Sequence, residues 1–247
     1  MYKLITGLLK VVKMSDLIIK PGTRKILDSE YKNNLQITSV IIPGGVLKIG
    51  DCAFKECSNL KEVVFPPGLK VIGREAFSWC NSIENVYLSE GITRIEECAF
   101  HRCLSLKRVN LPDSSNLNTF QIMSSAFSGC LNLEEVILPS SLWGIEGRTF
   151  LGCSNLKKIV LPNRITYIFS SAFQDCISLE KIFIPSSVKY IYKHAFLGCK
   201  NLEVTIDNSR ENMKIVENGA FEGCKNIIFF KRWKLKKEYL KYLMLSI

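Results

Sequence analysis

Apolar residues recur along this chain with a period of about 23 residues. Each period holds a Phe that follows Ala, or once Thr149. Five residues before each Phe stands Ile or Val, and three residues after it stands Cys. These phenylalanines are Phe54, Phe77, Phe100, Phe127, Phe150, Phe173, Phe196 and Phe221. A fixed period of this kind is the signature of a repeat protein, in which stacked units share one core because no unit can bury its own apolar face.

The second half of each repeat predicts a β-strand. Apolar residues such as Val63 and Phe65 alternate with outward positions, which is the two-residue period of a half-buried strand. Pro66 and its equivalents follow, where a residue without an N–H group ends strand pairing. The predicted fold is an α/β repeat solenoid of about nine 23-residue coils. It has a parallel β-sheet on one face and short helical or irregular segments on the other.

Three segments divide the chain. Residues 19–230 form the predicted solenoid, whose first coil is degenerate because Tyr31 stands where later coils have Phe. Residues 1–18 carry Leu, Ile and Val at helical spacing and are predicted to be an amphipathic helix that caps the first coil. A helix lying on a membrane surface is the alternative for that segment. Residues 231–247 are basic and aromatic and are predicted to cap the last coil.

The repeat unit P-x4-5-I-x4-A-F-x2-C-x2-L-x2-V-x-[IL]-P resembles the leucine-rich repeats of the BspA type, also called the Treponema pallidum type. The resemblance covers most of the chain. It implies a non-enzymatic protein-binding scaffold, and among the family's roles an adhesin or surface interaction protein whose partner is a host or matrix protein. The resemblance implies a cell-surface location, whereas the lack of a recognisable signal peptide or anchor favours the cytoplasm, so the location stays open.

Charge changes this picture only at the two ends. The chain has 33 basic and 23 acidic residues, a net charge of +10. Nine of those ten excess charges fall in residues 1–30 and 225–247, so the repeat body is nearly neutral and gives no reason to expect a nucleic-acid partner. The alternative function is an intracellular scaffold or a peripheral membrane or nucleic-acid binder that acts through the C-terminal segment. Its candidate contacts with an anionic surface are Lys231, Arg232, Trp233, Lys234, Lys236 and Lys237.

The sequence offers little for catalysis, and we expect no enzyme activity, cofactor or metal site. The only histidines, His101 and His194, occupy different repeat positions, and no phosphate-binding or zinc-hydrolase motif occurs. Eight of the ten cysteines share one repeat position and are predicted to be buried, although disulfides between neighbouring coils stay open. Cys52 and Cys98 lie outside that column and are the candidates for reactive thiols.

Two columns of side chains should line the exposed face of the sheet, because side chains alternate across a strand, and a third column lies one residue earlier. The apolar column is Val64, Tyr87, Asn110, Ile137, Val160 and Phe183. The charged column is Glu62, Asn85, Arg108, Glu135, Lys158 and Lys181. The alternating column, one residue earlier, is Lys61, Glu84, Lys107, Glu134, Lys157 and Glu180.

The apolar column has two interpretations. An apolar patch on a solvated face marks an interaction site, but β-branched and aromatic residues also favour strands for their own sake. In the first case Tyr87 and Phe183 are the anchors of a protein-binding face, and the protein is a monomer or a weak homo-oligomer through the same column. The candidate face comprises Tyr87, Arg108, Asn110, Ile137, Lys158, Val160, Lys181 and Phe183. The alternating column is predicted to fix strand register through cross-strand ion pairs.

Overall fold

The structure is a computed structural model. It describes residues 2–5, 8–11, 16–113, 120–207, 209 and 213–230. Within these residues the chain winds into a solenoid of about nine turns, each built from short parallel strands joined by turns. The predicted solenoid is confirmed.

The N-terminal segment begins with a β-hairpin where the sequence predicted an amphipathic helix. Strands β1 (Tyr2–Ile5) and β2 (Leu8–Val11) pair antiparallel, with Tyr2 opposite Val11 and Ile5 opposite Leu8. The helical prediction was therefore wrong. The prediction counted an apolar spacing that two short paired strands also satisfy.

Each coil contributes one strand to a long parallel sheet, whose outward side we call the front face. Hydrogen bonds join these ten strands in three consecutive groups, β3 to β7, β9 to β15 and β17 to β21. The sheet begins within residues 1–18, which the sequence analysis assigned to a cap. The strands are β3 (Asp16–Ile18), β5 (Ser39–Ile41), β7 (Glu62–Val64), β9 (Asn85–Tyr87), β11 (Arg108–Asn110), β13 (Glu135–Ile137), β15 (Lys158–Ile159), β17 (Lys181–Ile184), β19 (Glu203–Asp207) and β21 (Asn226–Phe230).

A second strand of only two residues follows in each coil, and the outward side of these strands is called the side face. They pair in parallel in two groups, β4 to β12 and β14 to β20. In most of them the second residue is an Ile buried in the core. The strands are β4 (Lys25–Ile26), β6 (Lys48–Ile49), β8 (Val71–Ile72), β10 (Arg94–Ile95), β12 (Gln121–Ile122), β14 (Gly144–Ile145), β16 (Tyr167–Ile168), β18 (Tyr190–Ile191) and β20 (Ile215–Val216).

The third side of each coil consists of turns, and the described residues contain no helix. Left-handed residues flank each core Phe, as Glu75 (φ 53°) and Trp79 (φ 63°) flank Phe77. A left-handed residue at every fourth position cannot continue a right-handed helix. The backbone N–H groups of all three residues donate instead to carbonyls of the next coil, at 2.8 to 2.9 Å. Of the two predicted options for this side, the helical one is wrong and the irregular one is confirmed.

The core is a column of stacked aromatic rings with a column of thiols beside it. The rings of Tyr31 and of all eight repeat phenylalanines stack with centroids 5.1 to 5.8 Å apart. Each cysteine of the column donates its S–H to a carbonyl oxygen of the preceding coil, as Cys153 does to Phe127 at 3.2 Å. Burial raises the pKa of seven of these eight thiols, so they stay protonated donors.

Candidate functional site

The apolar column lies on the front face, as its alternation predicted. The large side chains of this column are 38% to 66% exposed, with Val160 at the upper limit. The inward residues of the same strands, such as Val86 and Val136, are buried. Register aligns the column across coils, since Tyr87 pairs with Asn110 and Asn110 with Ile137. The sheet therefore presents an apolar strip to solvent, interrupted by Asn110.

The strip is longer than the six predicted residues at one end. Thr205 pairs with Phe183, and Ile228, which is 46% exposed, pairs with Thr205. At the N-terminal end Ile41 pairs with Val64 but is buried, so the exposed strip begins at Val64. Thr205 and Ile228 do not follow the 23-residue spacing from Phe183, because both of their coils are shorter between the Cys and the strand.

Two shallow grooves flank Val160 on the front face. The first has a volume of about 550 Å³ and reaches Ile137 on one side and Arg164 on the other. The second, of about 570 Å³, is lined by Phe183 and Lys181. Both share Lys158 and Val160 in their walls. The grooves have the size and the mainly apolar lining with a few charged groups that binding sites use.

The charged column runs beside the strip. Arg108, Glu135, Lys158 and Lys181 are all exposed. Arg108 stands opposite Glu135 in the sheet, and Glu135 opposite Lys158, whereas Lys181 stands opposite Glu203. The ammonium group of Lys225 lies 3.0 Å from a carboxylate oxygen of Glu203 and lowers the pKa of that carboxyl. The column thus offers separate positive and negative positions to a partner.

The alternating column forms ion pairs between neighbouring coils. Lys107 donates to Glu84 at 3.0 Å, and Lys157 donates to Glu134 at 3.3 Å. All four side chains are roughly half exposed, so each pair contributes on the order of 0.2–1 kcal/mol. The pairs support the parallel register of the coils, and they leave the charges accessible at the edge of the front face.

The side face carries an aromatic cluster that the sequence analysis missed. Ring centroids of Trp143 and Tyr167 are 5.1 Å apart, those of Tyr167 and Phe169 4.8 Å, and those of Phe169 and Tyr192 4.6 Å. Tyr167 lies over Gly144, where a Cβ atom would clash with its ring. The hydroxyl of Tyr167 donates to Glu146 at 2.7 Å, and burial raises its pKa. Phe169 and Tyr192 share one repeat position, whereas Trp143 and Tyr167 occupy two others, so no single column of the sequence contains the whole cluster.

The cysteines and histidines are the side chains of the repeat with the most reactive chemistry. All ten cysteines are free, including Cys52 and Cys98, which occupy left-handed turn positions before their Phe. Burial raises the pKa of the Cys98 thiol, which disfavours the reactive thiolate. Among the described residues no group of three or more His, Cys, Asp or Glu side chains is arranged to hold a metal ion.

The candidate anionic-surface residues Lys231, Arg232, Trp233, Lys234, Lys236 and Lys237 lie outside the described residues. Their contact with a membrane or nucleic acid stays a prediction. Within the residues that were described, no helix is long and apolar enough to cross a membrane.

Comparison with known proteins adds the family and the fold. The model of the BspA type leucine-rich repeat region matches six copies, over residues 24–122 and 120–238. No curated protein matches the chain.

Three solved structures are similar in shape. A leucine-rich repeat protein from Bacteroides ovatus is 24% identical, with a TM-score of 0.71, over 93% of this chain and 69% of that one. The T. pallidum leucine-rich repeat protein is 24% identical, with a TM-score of 0.60, over 82% and 87%. A leucine-rich repeat protein from Eubacterium ventriosum is 18% identical, with a TM-score of 0.52, over 91% and 86%. At these identities the likeness shows the fold alone.

Proposed function

The chain belongs to the BspA-type leucine-rich repeat family, and from that premise we propose that it is a protein-binding scaffold whose front face is the binding surface. Leucine-rich repeat proteins in general mediate protein interactions and are in general non-enzymatic. The observation that carries the proposal is the exposed apolar strip, flanked by the charged column. Its large apolar side chains face solvent in a structure whose inward positions are otherwise filled by a closed core.

An apolar strip of this length favours association over solvation. Tyr87 is 58% exposed and Phe183 is 50% exposed, so either ring could lose a large apolar area to a partner. Arg108, Lys158 and Lys181 beside them would supply the polar rim that surrounds such anchors in protein interfaces. Removing apolar area from water is worth about 25 cal/mol per Å² before the costs of association are subtracted.

The surface is also rigid. Hydrogen bonds between strands hold the backbone of Ile137 and Phe183, and β-structure needs no ordering when a partner arrives. A preformed surface loses little conformational entropy on binding, which leaves more of the apolar gain as affinity. Specificity then comes from shape and from the order of charges along the column.

The finer proposal is that the partner is a matrix or cell-surface protein, so that the chain acts as an adhesin. The adhesin role is supported by membership of the BspA-type leucine-rich repeat family. The non-enzymatic role rests on the family as well, together with the free and buried state of the column cysteines.

Site-specific photocrosslinking of the full chain to purified extracellular-matrix proteins tests both levels. A photoreactive residue at Val160, in the middle of the strip, should give adducts, because Val160 is 66% exposed between the two grooves. The same residue at Lys48 on the side face is the matched control and should give none. Adducts of equal yield from Lys48 would contradict the front-face assignment. A lack of adducts with every matrix protein from either position would contradict the adhesin role.

A further inference from the structure

We propose that the front face binds a second copy of this chain, in a two-fold symmetric dimer whose dyad passes between β11 and β13. The inference rests on the proposed function, because it takes the front face to be a binding surface and names the partner. The dyad lies parallel to the strands, so the two sheets pack face to face with their strands in one direction and their coil order reversed. Each column then faces its own counterpart in reverse order.

The exposed strands set the size of this interface. Ser39 and Ile41 of β5 are buried, so the exposed part of the front face begins at β7. Reversal about the dyad overlays the six strands from β7 to β17 on their own copies. Six strands about 4.8 Å apart span roughly 29 Å, and a width of 10–14 Å gives on the order of 600–800 Å² for the two copies together. That area is below the usual range for specific interfaces, so the dimer should be weak.

The charged column is the first reason for this dyad, because its exposed part is complementary to itself there. Arg108 faces Glu135 of the second copy, and Glu62 faces Lys181. Asn85 faces Lys158, so no like charges meet over these six strands.

Neighbouring dyads fail this condition. A dyad between β9 and β11 sets Glu62 against Glu135, and a dyad between β13 and β15 sets Arg108 against Lys181. Like charges brought together at an interface are strongly disfavoured. The order of charges along the column thus favours the dyad between β11 and β13 over its two neighbours.

The alternating column selects the same kind of dyad independently. Its Lys and Glu alternate strictly over six coils, from Lys61 to Glu180. A dyad that passes through a coil would oppose a residue to its own copy, Lys to Lys or Glu to Glu. A dyad between coils opposes every Lys to a Glu, beginning with Lys107 and Glu134.

Side-chain size in the apolar column agrees with this arrangement. Tyr87 faces Val160 of the second copy, and Val64 faces Phe183, so each exposed ring meets a small β-branched residue. The dyad therefore sets large against small side chains, as close-packed interfaces require. Neither Arg108 nor Glu135 has an ion pair elsewhere in the described part of the chain, so both charges are available across the dyad.

Sedimentation equilibrium of the full chain in reducing buffer, from about 1 μM to 1 mM, tests the inference. The wild type should show a reversible monomer–dimer equilibrium. Arg108→Glu and Glu135→Arg should each raise the dissociation constant at least tenfold, since each sets like charges face to face. An equimolar mixture of the two variants should dimerise about as well as the wild type, because Glu at position 108 of one copy then faces Arg at position 135 of the other. Lys48→Glu on the side face is the control and should leave the equilibrium unchanged.

A wild type that stays monomeric throughout the range would overturn the inference, and so would a mixture that stays monomeric or single variants that dimerise normally. Thermal unfolding of each variant separates a lost interface from a lost fold, since the interface argument requires both variants to remain folded. The proposed function fails separately. Adducts from Val160 with a matrix protein, together with a monomeric wild type, would leave the scaffold role intact and remove only the second copy as its partner.

Discussion

The inner and outer sides of the same strands follow different rules. On the inner side the core repeats itself almost without change, with Phe on Phe and Cys on Cys from coil to coil. On the outer side the charged column runs through Glu, Asn, Arg and Lys in no fixed order. An inner residue touches its own counterpart in the next coil, so a side chain that packs well between two coils also packs well between the others. An outer residue meets solvent or a partner, and it is free to vary.

That difference teaches where fold and recognition are encoded. The same core residues recur in eight coils and specify the fold. A substitution at one of them weakens packing against the two neighbouring coils. Under the proposed function, recognition is specified once, by the particular order of residues along the front face.

High pH should lower the free energy of unfolding more than any substitution discussed below, because it acts on the whole thiol column of the interior. Seven column thiols have a pKa raised by burial, that of Cys224 to about 12, whereas in the unfolded chain they would ionise near pH 8.5. Above that pH the unfolded chain binds fewer protons than the folded one, so stability is full below about pH 8 and falls as pH rises. Each thiol that stays protonated in the folded chain lowers the free energy of unfolding by up to about 1.4 kcal/mol per pH unit above pH 8.5.

Urea unfolding between pH 7 and pH 10, in the presence of a reductant, measures this slope. A free energy of unfolding that stays constant from pH 8 to pH 10 would contradict the burial of the thiol column as a set of protonated donors.

Phe127→Ala should have the next largest effect. Phe127 is fully buried and stacks between Phe100 and Phe150 at 5.5 and 5.8 Å, so its removal leaves a cavity bounded by two rings. We expect a loss of about 3–5 kcal/mol in the free energy of unfolding, measured with urea. Tyr31→Ala at the first position of the stack is the matched control. It should cost less, because Tyr31 is only partly buried and has one stacking neighbour. Equal losses at the two positions would show that the coils are not coupled through the rings.

The sequence predicted the features that a column can show. Phe54 and Cys57 recur at a fixed spacing, and Val64 and Val160 alternate with buried neighbours, so both core and front face could be predicted without coordinates. The turn side could not, because its left-handed positions are often filled by residues such as Trp79 that carry no turn signal.

The remaining features depend on more than the recurrence of one residue type. The aromatic cluster of the side face forms because Gly144 leaves room for the ring of Tyr167, which stands at the same repeat position in the next coil. The period aligns these two residues, but it does not predict that a glycine leaves space for a ring. The N-terminal hairpin depends on pairing between two short segments that lie outside the repeat, about which the period gives no information.

The central claim is that the front face carries recognition while contributing little to the fold, and the double variant Tyr87→Asp, Phe183→Asp tests it most directly. Both rings are at least half exposed, so the free energy of unfolding should stay within about 1 kcal/mol of the wild type. The measurement is the yield of photocrosslinked adduct from Val160 in this folded double variant. The account predicts that the adduct is lost. An undiminished adduct yield in the double variant would contradict it.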